Sequence, residues 1–120
     1  IPIPLNLLGE GVKKIHYLMS YLVQCFNGAI LIDEIEAHLH TGILRDTLSW
    51  LVKTAKEKNI QIFCTTHSLE AIDTFIDVCK DEKQLTLFRM KDANSHANDI
   101  TRFEYSEIER IRTNLALDLR

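Results

Sequence analysis

Several residue types are scarce in this sequence of 120 residues, which has only three cysteines, two prolines and four glycines. Cys25, Cys64 and Cys79 are an odd set without CxxC spacing, each in an apolar stretch. They predict buried thiols in a reducing compartment, which excludes a disulfide framework and a zinc site. No apolar run approaches the length of a membrane-spanning helix, and we find no signal-peptide pattern. We therefore expect a cytoplasmic protein without a membrane partner.

An excess of positive charge is also missing. The formal net charge is −3, so composition gives no electrostatic reason to expect direct binding of nucleic acid. The apolar share of 46% and the length are ordinary for one globular domain with a core of its own. The chain begins Ile1-Pro2-Ile3-Pro4 without a starting Met, and we expect it to be part of a longer protein.

The most informative stretch is an apolar run that ends in two acids. Ala29 to Ile32 are all apolar, and Asp33 and Glu34 follow directly. Such a run predicts a strand buried on both faces of a parallel sheet, and ligands bind beyond the carboxyl ends of such strands. Neighbouring carboxylates ionise together only when a cation compensates them. Two interpretations stay open here: a Mg²⁺ site with a general base beside it, or a strand that ends in solvated acids.

Spacing of apolar residues predicts the other elements. Helical spacing runs from Val12 to Phe26, from Leu44 to Ala55, and from Ser68, a candidate helix cap, to Cys79. Strands are predicted at 29–33 and 61–66, two antiparallel strands at 85–90 and 101–105 around a polar loop at 91–98, and a final helix from about Ser106. The order helix, strand, helix, strand, helix implies parallel strands joined by crossovers. The fold class is therefore α/β, with a mostly parallel sheet and antiparallel strands near the C-terminus.

A histidine ends the second predicted strand. Thr66 and His67 follow an apolar run as Asp33 and Glu34 do, so neighbouring strands would bring His67 close to the acids. A histidine at a strand end is more often a satisfied core residue than a catalytic one. A second polar strand end beside a carboxylate pair favours the functional interpretation.

These motifs together resemble the second half of an ABC-type ATPase. The stretches are Asn6-Leu7-Leu8-Gly9-Glu10-Gly11, then Ile30-Leu31-Ile32-Asp33-Glu34-Ile35-Glu36, then Leu39-His40, then Phe63-Cys64-Thr65-Thr66-His67-Ser68. Their order is that of the family: signature loop, helix, Walker B strand, helix, histidine switch. The SMC-like and OLD-like P-loop ATPases are the most similar branch. The resemblance covers nearly the whole chain, so residues 1–120 are expected to be the C-terminal half of a P-loop-type α/β domain.

The resemblance implies roles for three residues at the strand ends. Asp33 resembles the Walker B aspartate that holds Mg²⁺, usually through water. Glu34 resembles the base that orients and deprotonates the attacking water. His67 resembles the switch histidine, which contacts the γ-phosphate of ATP.

The resemblance also implies a nucleotide-binding loop that acts on a partner subunit. Asn6, Gly9, Glu10 and Gly11 match the signature loop, whose glycines let backbone N–H groups approach phosphate. The segment 36–40, which ends in His40, matches the D-loop at the same interface. ATP would then join two subunits head to tail. Asn6 replaces the usual serine of this loop, and Ile35 replaces a proline that the OLD-like branch also varies.

One element of such an ATPase is absent. No G-x-x-x-x-G-K-[ST] phosphate loop occurs in the sequence. We expect a missing N-terminal portion to supply it, and we expect this chain by itself to bind ATP poorly and hydrolyse almost none. DNA, RNA or an effector protein are partners that only the resemblance implies.

Two other functions stay open. The acids with His38, His40 and His67 contain enough ligands for a metal-dependent hydrolase, although no known spacing for such an enzyme is present. The chain could instead be a non-catalytic dimerisation module that keeps the ATPase fold. Lys13 and Lys14 follow the signature loop and are predicted to lie on the solvated face of its helix.

Overall fold

The computed structural model of the chain describes residue 4 and residues 7–81, 83–90 and 100–114. The chain divides into two units, Ile1–His67 and Ser68–Arg120. Asn6 of the predicted signature loop and the predicted polar loop at 91–98 lie outside the described residues.

The first unit alternates helices and strands: α1 (Glu10–Gln24), β1 (Gly28–Ile32), α2 (Thr41–Glu57) and β2 (Ile60–Cys64). The strands pair in parallel, with Gly28 opposite Ile60 and Ile32 opposite Cys64. Helix α2 is the crossover between them and contacts β2, as the sequence predicted. Each strand starts one residue earlier than expected and ends before the polar residues that follow it, because those residues leave the ladder for loop hydrogen bonds.

Two asparagines start the strands side by side. Asn27 and Asn59 both have left-handed backbones, with φ of 49° and 54°, which asparagine tolerates better than most residues. The Asn59 side-chain amide donates to Asn27 Oδ1 at 2.9 Å, and the backbone N–H of Asn27 donates to Lys58 O at 3.0 Å. These bonds align the first residues of β1 and β2 and so set the register that brings their far ends together.

The prediction that β1 is buried on both faces is wrong for the described residues. Ile32 and Ile60, on one face of the strand pair, are only 7% and 8% exposed. Leu31 and its cross-strand partner Phe63, on the opposite face, are 80% and 49% exposed. The described part of the chain packs one face of this sheet and leaves the other uncovered.

Helix α1 and the cysteines also depart from expectation. Of the apolar residues at helical spacing, Leu18 and Leu22 are buried, whereas Val12, Met19 and Val23 are exposed, because the apolar stripe is wider than the surface that α1 buries. The prediction of three buried thiols holds for Cys79, while Cys25 and Cys64 are only half-buried.

The second unit contains α3 (Leu69–Val78), β3 (Thr86–Met90), β4 (Ile100–Glu104) and α4 (Tyr105–Asn114). The predicted cap is present: Ser68 Oγ accepts a hydrogen bond from the backbone N–H of Ala71 at 3.2 Å. Strands β3 and β4 are antiparallel, with Leu87 opposite Phe103. Tyr105 begins α4 one residue before the expected start, and its buried hydroxyl donates to Ile76 O of α3 at 3.3 Å.

Among the residues that the structure describes, no helix combines the length and apolar character needed to cross a bilayer.

Candidate functional site

The carboxyl ends of β1 and β2 lie at one edge of the parallel pair. Beyond the last ladder pair, the backbone N–H of Thr65 donates to Ile32 O, and the N–H of Ile35 donates to Thr65 O, both at 3.0 Å. These two bonds continue the contact between the segments that follow β1 and β2. Asp33 and Glu34 therefore lie beside the segment that leads to His67, as parallel pairing predicted. The side chains of all three residues are exposed.

Thr65 connects the two strand ends through its side chain. Its hydroxyl donates to Asp33 Oδ1 and accepts from the backbone N–H of Glu34 at 2.8 Å. A hydroxyl has one proton to donate and lone pairs to accept with, so both capacities are used on adjacent acidic residues. Sequence reasoning named Thr66 at this strand end and missed Thr65. Neighbouring side chains of a strand point to opposite faces, and the sequence does not tell which of the two threonines faces Asp33.

Glu34 has an unusual backbone. Its φ of 45° lies in the left-handed region, which non-glycine residues seldom adopt. The carbonyl oxygen of Glu34 accepts a hydrogen bond from Lys14 Nζ at 2.6 Å, and it also accepts from the backbone N–H of Ala37 at 2.9 Å. Glu34 is thus held on the N–H side by Thr65 and on the carbonyl side by a helix and a turn.

Lys14 does not lie on a fully solvated face, so that expectation is wrong. It is half-buried, and its ammonium points from α1 to the loop that follows β1. Burial lowers the pKa of this ammonium, while the carboxylates of Glu36, Glu34 and Asp33 act in the opposite direction. Its neighbour Lys13 is also half-buried and pairs with Glu10 at 2.6 Å.

Glu36 connects the segment 36–40, the predicted D-loop, to the end of β2. Its Oε1 accepts a hydrogen bond from the backbone N–H of His67 at 2.8 Å, and its Oε2 is buried with no hydrogen-bond partner among the described residues. Burial would raise the pKa of Glu36, but hydrogen bonds from the Thr66 side chain and the His67 backbone outweigh it and hold that pKa below its usual value. Glu36 is therefore an ionised carboxylate at neutral pH.

The loop between β1 and α2 is compact. Ile35 is fully buried and anchors it, and the backbone N–H of Leu39 closes a turn onto Glu36 O at 3.0 Å. His38 has a left-handed backbone with φ of 64°. His40 Nδ1 accepts from the backbone N–H of Gly42 at 3.1 Å and so caps α2. Capping gives His40 a structural role, and its contact with nucleotide stays a prediction.

The described glycines of the predicted signature loop have different surroundings. Gly9 precedes α1 as its N-cap without a side-chain cap bond, and a Cβ placed there would meet no atom within 4 Å. A Cβ at Gly11 would lie 2.4 Å from the backbone oxygen of His38. Gly11 is therefore required for the close approach of α1 to the loop, while Gly9 and Glu10 remain open to solvent.

A groove of about 690 Å³ lies between α1 and β1. Its polar end is formed by Asp33, Lys14 and His38, and its apolar part includes Tyr17 and Leu31. Among the described residues, no three histidine, cysteine, aspartate or glutamate side chains are grouped as a metal site. A metal at the strand ends would therefore depend on Asp33, nearby oxygen atoms and water.

Comparison with known proteins places this site in a family. A family model described as "AAA domain, putative AbiEii toxin, Type IV TA system" matches residues 1–73, a range that includes every strand-end residue described above. An uncharacterized protein from Methanocaldococcus jannaschii is 32% identical over 115 residues, covering 94% of this chain and 99% of that protein. An ATP/GTP phosphatase from Helicobacter pylori is 31% identical over 112 residues, or 88% of this chain. The matched region is only 30% of the phosphatase. No solved structure matches the chain.

Proposed function

The chain belongs to this family of AAA domains, and we propose that it supplies the hydrolytic residues of a larger, Mg²⁺-dependent ATPase of the ABC type. The observation that carries the proposal is the arrangement at the strand ends. Asp33, Glu34 and His67 end two adjacent parallel strands, where ligands of such sheets bind. The name of the Helicobacter pylori relative, an ATP/GTP phosphatase, supports nucleotide hydrolysis as the reaction.

The donor set at this edge fits magnesium. Asp33 presents an exposed carboxylate that accepts a hydrogen bond from Thr65, so one of its oxygen atoms is held in place. Carboxylate and water oxygens are the ligands that Mg²⁺ prefers. Asp33 would hold the ion, which when bound would supply positive charge to the phosphate oxygens of the nucleotide.

Glu34 is the proposed general base. Its exposed carboxylate follows the residue that would hold the metal, and it would accept a proton from the water that attacks the γ-phosphate. His67 would contact that phosphate from the neighbouring strand end. Its backbone N–H donates to Glu36, two residues after the proposed base.

The rest of the nucleotide site would come from outside this chain. The sequence has no phosphate loop, and the chain spans 30% of the phosphatase from Helicobacter pylori. The uncovered sheet face at Leu31 and Phe63 supports the same view, because parallel sheets are normally covered on both faces. A portion with the phosphate loop, in the same polypeptide or a separate one, would complete the domain.

The test of the proposed base is Glu34→Gln in the intact protein that contains this chain. Steady-state ATPase should fall by roughly 10²–10⁴-fold while ATP is still bound, since the amide cannot take up a proton. Glu57→Gln, at an exposed position at the end of α2, is the matched control and should leave the rate unchanged. An unchanged rate in Glu34→Gln would remove Glu34 from this role.

The proposed signature loop gives a second prediction. Replacing Gly9 with a bulky residue should weaken ATP-driven dimerisation and leave the monomer folded, because a Cβ there meets no atom of the described residues within 4 Å. Gly11→Ala should destabilise the monomer, because its Cβ would contact the His38 backbone. Light scattering with and without ATP, together with thermal unfolding, separates the two effects. Normal dimerisation of the Gly9 variant would contradict the signature assignment.

A non-catalytic dimerisation module is the second candidate. The exposed apolar face at Leu31 and Phe63 favours it, because exposed apolar surfaces often bind other proteins. This candidate predicts that the intact protein binds its partners and has no ATPase activity that depends on Glu34. The same Glu34→Gln experiment therefore separates the two candidates.

A further inference from the structure

The backbone at Glu34 is held by groups that lie outside its own loop. Its φ of 45° is a conformation that a non-glycine side chain adopts only when the surroundings impose it. Within the loop, the N–H of Ala37 bonds to Glu34 O at 2.9 Å, which closes a turn after Glu34. That turn does not fix the peptide before Glu34, so the direction of the side chain depends on further contacts.

Thr65 fixes the peptide before Glu34. Its hydroxyl accepts from the Glu34 N–H at 2.8 Å and donates to Asp33 Oδ1. Because the single hydroxyl proton points to Asp33, the lone pairs face the Glu34 amide. The positions of the two acidic residues are therefore linked through one oxygen atom.

Lys14 adds a charged donor to the peptide after Glu34, which is also held by the bond from Ala37 N–H to Glu34 O and by the bond from Ile35 N–H to Thr65 O. Its Nζ donates to Glu34 O at 2.6 Å from the first half of α1, twenty residues earlier in the chain. A hydrogen bond from a charged donor is shorter and stronger than one between neutral groups. Lys14 is half-buried, which limits the access of water to this bond.

We propose that Thr65 and Lys14 are positioning residues that hold Glu34 in its left-handed backbone and thereby direct its carboxylate. This inference rests on the proposed role of Glu34 as the base. Neither side chain is assigned to the nucleotide. Lys14 acts through Glu34, whereas Thr65 acts through both Glu34 and Asp33. Their loss should lower kcat and leave the KM for ATP nearly unchanged, because a base that is displaced by about 1 Å loses up to 10²-fold in rate without losing substrate affinity.

The variants can be chosen to spare the fold. Thr65→Val removes the hydroxyl and keeps the shape, while the backbone bonds of Thr65 to Ile32 and Ile35 do not involve its side chain. Thr65→Ser keeps the hydroxyl and serves as the conservative variant. Lys14→Met removes the ammonium and keeps a side chain of similar shape. Thr47→Val is the matched control, since it removes a hydroxyl that donates to Ile43 O within α2, outside the site.

The measurements are kcat and KM for ATP in the intact protein, and hydrogen exchange of the peptide that contains residues 33–36. Thr65→Val and Lys14→Met should each lower kcat by roughly 10–100-fold, change KM less than about threefold and speed exchange in this peptide. Thr65→Ser should restore most of the rate, and Thr47→Val should keep the native kcat.

Combination with Glu34→Gln separates this inference from the proposed function. In single-turnover assays, Lys14→Met should cause little further loss in a Glu34→Gln background, because its hydrogen bond goes to Glu34 and its effect passes through that residue. Full additivity there, or native kcat in Thr65→Val, would overturn the positioning role even if Glu34→Gln abolishes activity. Native activity in Glu34→Gln would instead refute the proposed base.

Discussion

The described residues of each unit include a group of acidic side chains with a basic residue close by, and the two groups are held in different ways. At the strand ends of the first unit, Asp33 accepts from a threonine hydroxyl and Glu36 from a backbone N–H. The ammonium of Lys14 donates to a carbonyl oxygen in this group. The donors to both carboxylates are therefore neutral groups.

The acidic group of the second unit is paired with a cation. Arg112 Nε lies 3.0 Å from Asp73 Oδ1, and its NH1 lies 2.9 Å from Asp77 Oδ1. The hydrogen bond to Asp77 is the main reason that the pKa of Arg112 is raised. One guanidinium thus neutralises much of the charge on the carboxylates of α3.

This difference separates a candidate site from a surface ion pair. The neutral donors of Asp33 and Glu36 bring no positive charge of their own to these carboxylates. The guanidinium of Arg112 brings its positive charge directly to Asp73 and Asp77. Both stretches of the sequence contain acidic residues, and the structure distinguishes them by their hydrogen-bond donors.

The larger effect on stability is expected at Glu36. Glu36→Met removes the charged acceptor of the His67 N–H and should lower the free energy of unfolding by about 1.5–3 kcal/mol at neutral pH. The matched change in the second unit is Asp73→Asn, where Asp73 is half exposed and Arg112 keeps Asp77. That change should cost at most about 1 kcal/mol. Urea unfolding of the intact protein and its variants measures both.

Lowering the pH should weaken the hydrogen bond from the His67 N–H to Glu36. The pKa of Glu36 is lowered in the folded state, so its stabilising effect is complete above its ordinary value of 4.5 and is lost as pH falls through the folded-state pKa. The native protein should therefore lose more stability than Glu36→Met between roughly pH 5 and pH 3. If the free energy of unfolding falls equally with pH in the two proteins, Glu36 is not an ionised acceptor of this bond.

Sequence reasoning predicted the pairing of the strands but not the hydrogen-bond donors at the strand ends. Apolar runs and helical spacing were enough for the parallel pair, the antiparallel pair, the Ser68 cap and the convergence of Asp33 with the end of β2. The direction of Lys14 was missed because Lys13 and Lys14 differ by only one helical step, and packing of α1 decides which of them faces inward. The exposure of Leu31 was missed because an apolar run indicates only that a strand is suited to burial on both faces. It does not show whether the described residues pack against both of them.

The smallest expected effect is at Arg112. Arg112→Gln removes both ion pairs, but the side chains involved are 38–51% exposed, so water already screens them. Arg110→Gln on the same exposed helix makes the same change in net charge and serves as the control. The difference between the two variants should be at most about 1 kcal/mol at low salt and should shrink further near 1 M salt. A salt-independent difference well above that value would mean that Arg112 is held as firmly as Glu36, and the contrast between the two acidic groups would then fail.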